Sequence, residues 1–222
     1  LGAATGGDVF VSLISGKLLA GVNMLSLVAA NSSRITGGAF LTILMGISLA
    51  AMTVFLYPIF RKDSKELAMG MVLFRGALEG TWYFLTALSF LVMVVLGNEY
   101  VATGADSAAL QSMGNVLYQF GDRLGTVGPI FMLIGATCLY LSFYRTRLIP
   151  RWVSVWGLIG VASSMALSLL HLFHIDIGYG PYLEVVLASQ EMVMAIWLIA
   201  KGFNPTAIAA LTARPMLAQD RA

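Results

Sequence analysis

Charge is what this sequence has least of: only 11% of its 222 residues are Asp, Glu, Lys or Arg. A water-soluble domain carries about 25%. The deficit excludes an ordinary soluble globule, a disordered chain and a nucleic-acid binder. Cysteine is almost absent too. Cys138 stands alone within an apolar run, so it forms neither an intrachain disulfide nor a thiolate metal cluster and reads as a small buried apolar residue. No Gly-x-Ser-x-Gly, His-Glu-x-x-His or glycine-rich phosphate loop is present, which leaves the catalytic inventory thin. No basic stretch and short apolar core precede a cleavage site, so no intact signal peptide is read. The net charge of +2 is too small to argue from; only the placement of charges is informative.

What the chain has is apolar residues, 59% of the total, with a mean hydropathy of +0.85. They fall into runs long enough for the roughly 20 helical residues that cross a ~30 Å hydrocarbon core. The fold class expected is all-α: a polytopic transmembrane helix bundle with five spans, at about 35–60, 67–96, 124–144, 152–173 and 182–200. Barrel strands would be half as long and would alternate apolar with polar residues. The second run exceeds what a bilayer needs, so it tilts or projects. Residues 1–33 read as an extracytoplasmic segment in which Leu18–Ala30, apolar but interrupted by Asn23, forms a short interfacial or re-entrant helix. Residues 34–203 form the bundle, and 204–222 a cytoplasmic polar tail. Ala109, Leu110, Met113, Val116, Leu117 and Phe120 recur at helical spacing after Asp106 and Ser107, predicting an amphipathic, N-capped helix at the surface or extending the third span.

Orientation follows from the basic residues. Arg61, Lys62 and Lys65 lie between spans one and two, Arg145, Arg147 and Arg151 between three and four, and Lys201, Arg214 and Arg221 after span five. Alternation puts all three groups on one side, which the positive-inside rule makes cytoplasmic, with the C-terminus inside. The opposite side holds Asp8, Glu99, Asp106, Asp122, Asp176 and Glu184 with few cations. Tyr57, Tyr144 and Trp152 are the expected inner aromatic anchors, and Tyr100, Tyr179 and Tyr182 the outer ones. An outside N-terminus without a signal suggests a sixth span upstream of Leu1.

Ionisable residues at membrane depth are costly and therefore single out candidate sites. Arg75 and Glu79, four apart, share one face of the second span, ~12 Å and ~18 Å from its cytoplasmic end at 1.5 Å per residue. Gly76 and Gly80 between and beside them allow a neighbouring helix to approach closely. Glu191, beside Gln190, is the deepest carboxylate, and Arg75 is the only basic residue at comparable depth. An Arg75–Glu191 contact, direct or through Glu79, is therefore expected to join spans two and five. The pair either fixes helix register, the stronger reading, or has a functional role, binding an anionic headgroup or relaying a proton. His171 and His174 at the outer end of the fourth span are weak metal candidates, because a site needs a third or fourth ligand; neither metal nor any other cofactor is expected. The twelve methionines read as packing filler.

Three stretches carry a resemblance: Phe74-Arg75-Gly76-Ala77-Leu78-Glu79; Tyr144-Arg145-Thr146-Arg147-Leu148-Ile149-Pro150-Arg151-Trp152, running on through Trp156-Gly157-Leu158-Ile159-Gly160; and Glu191 followed by Trp197-Leu198-Ile199-Ala200-Lys201-Gly202-Phe203. In this order they resemble the bacterial multi-pass membrane proteins grouped as the domain of unknown function 4386 family, over roughly residues 34 to 203. The resemblance implies a small bundle with one further span before the outer loop. It implies no reaction, and it does not extend to His171 or His174.

The function expected is that of an integral membrane protein of the inner (cytoplasmic) membrane, without assignable catalysis and leaning away from an enzyme. The first reading is a non-catalytic accessory or packing subunit of a larger complex, whose partners are membrane lipids and other membrane subunits. The alternative is a transporter, or a binder of lipid or small ligand, that uses Arg75, Glu79 and Glu191. A third, weaker reading is an intramembrane enzyme or redox protein built on the outer histidines.

Overall fold

The computed structural model describes residues 23–175 and 180–213, and the side chains of these except 180–184. In chain order the elements are α1 (Met24–Ala30), α2 (Ser32–Phe60), α3 (Lys65–Met71), a π-helical segment (Val72–Leu78), α4 (Glu79–Ala102), α5 (Ala108–Thr146), α6 (Arg151–Leu172), α7 (Gly180–Lys201) and α8 (Pro205–Ala213). The described residues contain helices and no strand. Lys65–Ala102 runs as one helical rod through the π segment.

Four of these rods, Ser32–Phe60, Lys65–Ala102, Ala108–Thr146 and Arg151–Leu172, are long and apolar enough to cross a membrane; α7 with α8 makes a fifth if the bent pair is one span. Their outward side chains agree with lipid as the solvent. Phe55 is 75% exposed and Ile199 is 87% exposed, an arrangement that water would penalise and hydrocarbon does not. This is a multi-pass helical membrane protein. The amphipathic stretch after Ser107 is not a separate surface helix: it extends the third span into one helix of 39 residues, ~58 Å long against a ~30 Å core. Ser107 caps it, its Oγ accepting the Leu110 N–H at 3.3 Å.

The contacts divide the chain into two compact units, Leu1–Ser48 with Gly80–Gly125 and Leu49–Glu79 with Thr126–Ala222. In the first unit, α1 buries Met24, Leu25, Leu27 and Val28 against Ile35 and Ala39 of α2 and Ala87, Phe90 and Met93 of α4. Asn23, which interrupts the apolar run in sequence, caps α1 by accepting the Leu25 N–H at 2.9 Å. Two glycines make room for α1. A Cβ on Gly97 would stand 2.9 Å from the Leu25 carbonyl oxygen, and one on Gly114 would stand 2.9 Å from Leu25 Cδ2. The part of the expected interfacial helix before Asn23 lies outside the described residues. Tyr100 is not an exposed anchor: it is 2% exposed, and its hydroxyl accepts a hydrogen bond from Gln111 Nε2 at 2.7 Å. A buried phenol needs such a partner.

The second unit has its own core. Leu56 and Phe60 of α2, Met71 of α3, Leu133, Leu139, Tyr140 and Phe143 of α5, Val153 and Val161 of α6, and Leu187 of α7 form one buried cluster. Phe143 packs edge-on to Phe60 at 5.1 Å and meets Phe203 at 6.0 Å. Helices α6 and α7 lie side by side, with Gly160 where a Cβ would fall 3.0 Å from Leu187 Cα. Residues 205–213, read from sequence as the start of a polar tail, form the nine-residue α8. Asn204 starts it by accepting the Thr206 N–H at 3.1 Å, and Leu211 is buried in the same core. Helix α8 turns 84° from α7.

Candidate functional site

Arg75 sits in the Val72–Leu78 π segment of the second unit. Such segments are rare within α-helices and often mark functional positions, because they redirect side chains that a regular helix would place elsewhere. The backbone here is pressed from two sides. A Cβ on Gly76 would fall 2.5 Å from Thr53 Oγ1 of α2, and one on Gly135 of α5 would fall 2.6 Å from Arg75 N. Gly76 was read from sequence as a close-packing position. Gly135 was not singled out, and it is the residue that lets α5 lie directly on the Arg75 backbone.

The guanidinium is buried and faces two carboxylates. Arg75 NH2 donates to Glu191 Oε1 at 3.1 Å, and NH1 lies 3.7 Å from Glu79 Oε2, within ion-pair range but beyond a hydrogen bond. The expected contact between spans two and five is therefore present and direct. The two carboxylates differ in access: the Glu79 side chain is 1% exposed and that of Glu191 is 37%. One side of the cluster is closed and the other is open.

A neutral pair stands next to it. Tyr140 of α5 donates its hydroxyl to Gln190 Oε1 at 2.7 Å, and Gln190 Nε2 donates to the Val153 carbonyl of α6 at 3.1 Å. Gln190 is fully buried and its polar group is satisfied on both ends. Sequence reasoning noted Gln190 only as the neighbour of Glu191 and passed over Tyr140. Both lie in apolar runs, and only a buried amide at helix centre hinted that a partner was required.

His171 and His174 lie at the exposed C-terminal end of α6, His174 with φ of 59°. No group of three or more His, Cys, Asp or Glu side chains that could hold a metal forms among the described residues. Asp176 and the Glu184 side chain fall outside them.

The α2–α3 turn, the α5–α6 turn and the end of α7, which carries Lys201, meet at one end of this unit. Arg145 Nε lies 2.9 Å from Asp63 Oδ2, tying the α5–α6 turn to the α2–α3 turn. The Asn204 N–H donates to the Leu148 carbonyl at 2.9 Å, tying the end of α7 to the same α5–α6 turn. Cations stack on aromatics there: Arg61 over Tyr57 at 5.9 Å, Arg151 over Tyr144 at 4.8 Å and Lys201 over Trp197 at 5.1 Å.

Among known proteins, no curated protein and no solved structure matches this chain. A family model described as "Domain of unknown function (DUF4386)" matches residues 8–202. That span covers most of the chain, including the Arg75–Glu79–Glu191 cluster and the arginine-rich turn between α5 and α6. The chain belongs to the DUF4386 family of domains of unknown function.

Proposed function

We propose that this protein lies in the bacterial inner membrane with its C-terminus in the cytoplasm. There it binds or carries a small positively charged or hydrogen-bond-donating ligand at Arg75, Glu79 and Glu191. The observation that carries this reading is the half-open arrangement: a buried arginine set between two carboxylates, with only Glu191 reaching outward. With both carboxylates ionised, one guanidinium leaves one negative charge uncompensated. At membrane depth that surplus calls for a compensating positive charge, supplied by a bound proton or cation. The meeting of the basic turns at one end supports the cytoplasmic assignment of that end.

Proteoliposomes containing the full chain and a pH-sensitive dye test this reading, with protons and methylammonium as probes. Flux above empty vesicles that Glu191→Gln abolishes is the expected result. Equal flux in protein and empty vesicles for both probes would overturn it.

The same half-exposed Glu191 favours a second reading, that of an accessory subunit whose partner helix covers the carboxylate in the membrane. Cross-linking in native membranes from a cysteine placed at Met192, an exposed neighbour of Glu191, distinguishes the two. A partner band supports the subunit, and a lone monomer counts against it.

A further inference from the structure

The basic end of the second unit is concave. A pocket of about 490 Å³ opens between the α5–α6 turn and the end of α7, lined by residues 147–151, Trp197 and residues 201–205. Its volume lies within the ~300–1,000 Å³ of small-molecule sites. Three lining side chains are cationic, Arg147, Arg151 and Lys201, and none is acidic. All three are exposed, and none has an acidic partner among the described residues. Arg151 and Lys201 rest on the rings of Tyr144 and Trp197. Arg147 holds φ of 58°, in the left-handed region that residues other than glycine seldom adopt.

Two further features point the same way. Helix α6 begins at the pocket wall with Pro150 as N-cap and no side-chain hydrogen bond closing it, so its dipole adds partial positive charge there. Two aromatic residues line the pocket, Trp197 near the end of α7 and Phe203 just past it, the level at which such side chains meet lipid headgroups. Cations without acidic partners, a helix start and two aromatic side chains at one cavity suit a phosphate oxyanion.

We infer that this pocket binds a phosphate group, presented by an anionic lipid headgroup or by soluble phosphate. The inference is independent of the membrane-depth cluster, which shares none of the pocket's residues.

Native mass spectrometry of the full chain, titrated with phosphatidylglycerol and with phosphatidylcholine, tests it. Phosphatidylglycerol adducts are expected to outlast phosphatidylcholine adducts. Arg147→Asn and Lys201→Gln are each expected to weaken them about fivefold, the effect of one basic charge near a membrane surface. Asparagine tolerates the left-handed backbone at position 147, and Lys201 is exposed, so both variants keep the fold. Lys62→Gln, at the same end but outside the pocket, is expected to change nothing. Inorganic phosphate that displaces the lipid assigns the site to soluble phosphate; failure to displace it assigns the site to the headgroup. Equal binding of both lipids without phosphate binding, or a loss as large in Lys62→Gln as in the pocket variants, would overturn the proposal.

Discussion

Arg75 and Glu191 stand 116 positions apart in sequence and are joined by a 3.1 Å hydrogen bond between charged groups. The arginine is 6% exposed, and it also faces Glu79, which is 1% exposed. The consequences of removing one partner are therefore unequal. Arg75→Met leaves Glu79 buried without its counter-charge and is expected to cost about 3–5 kcal/mol. Glu191→Gln keeps a hydrogen-bond acceptor at a half-exposed position and is expected to cost about 1 kcal/mol. Unfolding in mixed micelles measures both, and equal losses would contradict the asymmetry.

Gly135→Ala places a methyl group 2.6 Å from Arg75 N and 2.9 Å from Arg75 Cα. Backbone atoms cannot swing aside as a side chain can, so α5 or the π segment must shift. A loss of about 1–3 kcal/mol is expected, together with loss of the Arg75–Glu191 coupling in a double-mutant cycle. Gly37→Ala, where nothing lies within 4 Å of the new carbon, serves as the control and is expected to leave stability unchanged or slightly improved.

Tyr140→Phe removes the hydroxyl that Gln190 Oε1 accepts from. Gln190 is fully buried, so its carbonyl oxygen is left without that donor and stability falls by about 1–3 kcal/mol. The double variant Tyr140→Phe with Gln190→Leu is expected to recover part of this loss, because an apolar pair leaves less to satisfy. Thermal unfolding of the three proteins in one detergent decides the matter.

Deleting Ala77 shortens the π segment by one residue and favours regular i→i+4 bonding. It also turns the chain on one side of the deletion by about 100° relative to the other. Arg75 and Glu79 then stand three apart and still share a face, but one of the two is carried away from its present position relative to Glu191. The deletion is expected to abolish any probe flux that the intact protein shows in vesicles, while circular dichroism still reports a helical protein.

The parts of this structure legible in the sequence are those the membrane makes expensive. Run length announced the spans, and charge at depth announced Arg75, Glu79 and Glu191, since little else explains ionisable groups there. The π segment was not legible. It changes the backbone hydrogen-bond step while leaving the apolar run Val72–Phe74 looking like any other. Tyr140 and Gln190 were missed because their pairing links α5 to α7, and no local spacing encodes it. Tyr100 read as an interfacial anchor because tyrosines near helix ends usually are; Gln111, eleven residues on, instead gave its hydroxyl a buried partner. The arginine-rich turn was visible, but only as a marker of sidedness. That it forms one wall of a cavity depends on the Asn204–Leu148 bond, which draws the far end of α7 against it.

Helix α7 is held at two levels, by Gln190 and Glu191 near its centre and by the Asn204 backbone just past its end. Glu191 sits at the first level and Lys201 just before the second, ~15 Å apart along a rigid rod. Axial sliding of α7 would break buried side-chain bonds and a backbone bond at once, and a tilt about Gln190 would strain the Asn204–Leu148 bond most, because that bond lies farthest from the pivot. The basic pocket and the carboxylate beside Arg75 are thus pinned to the same helix at both levels, and a substitution that shifts α7 at one of them is felt at the other.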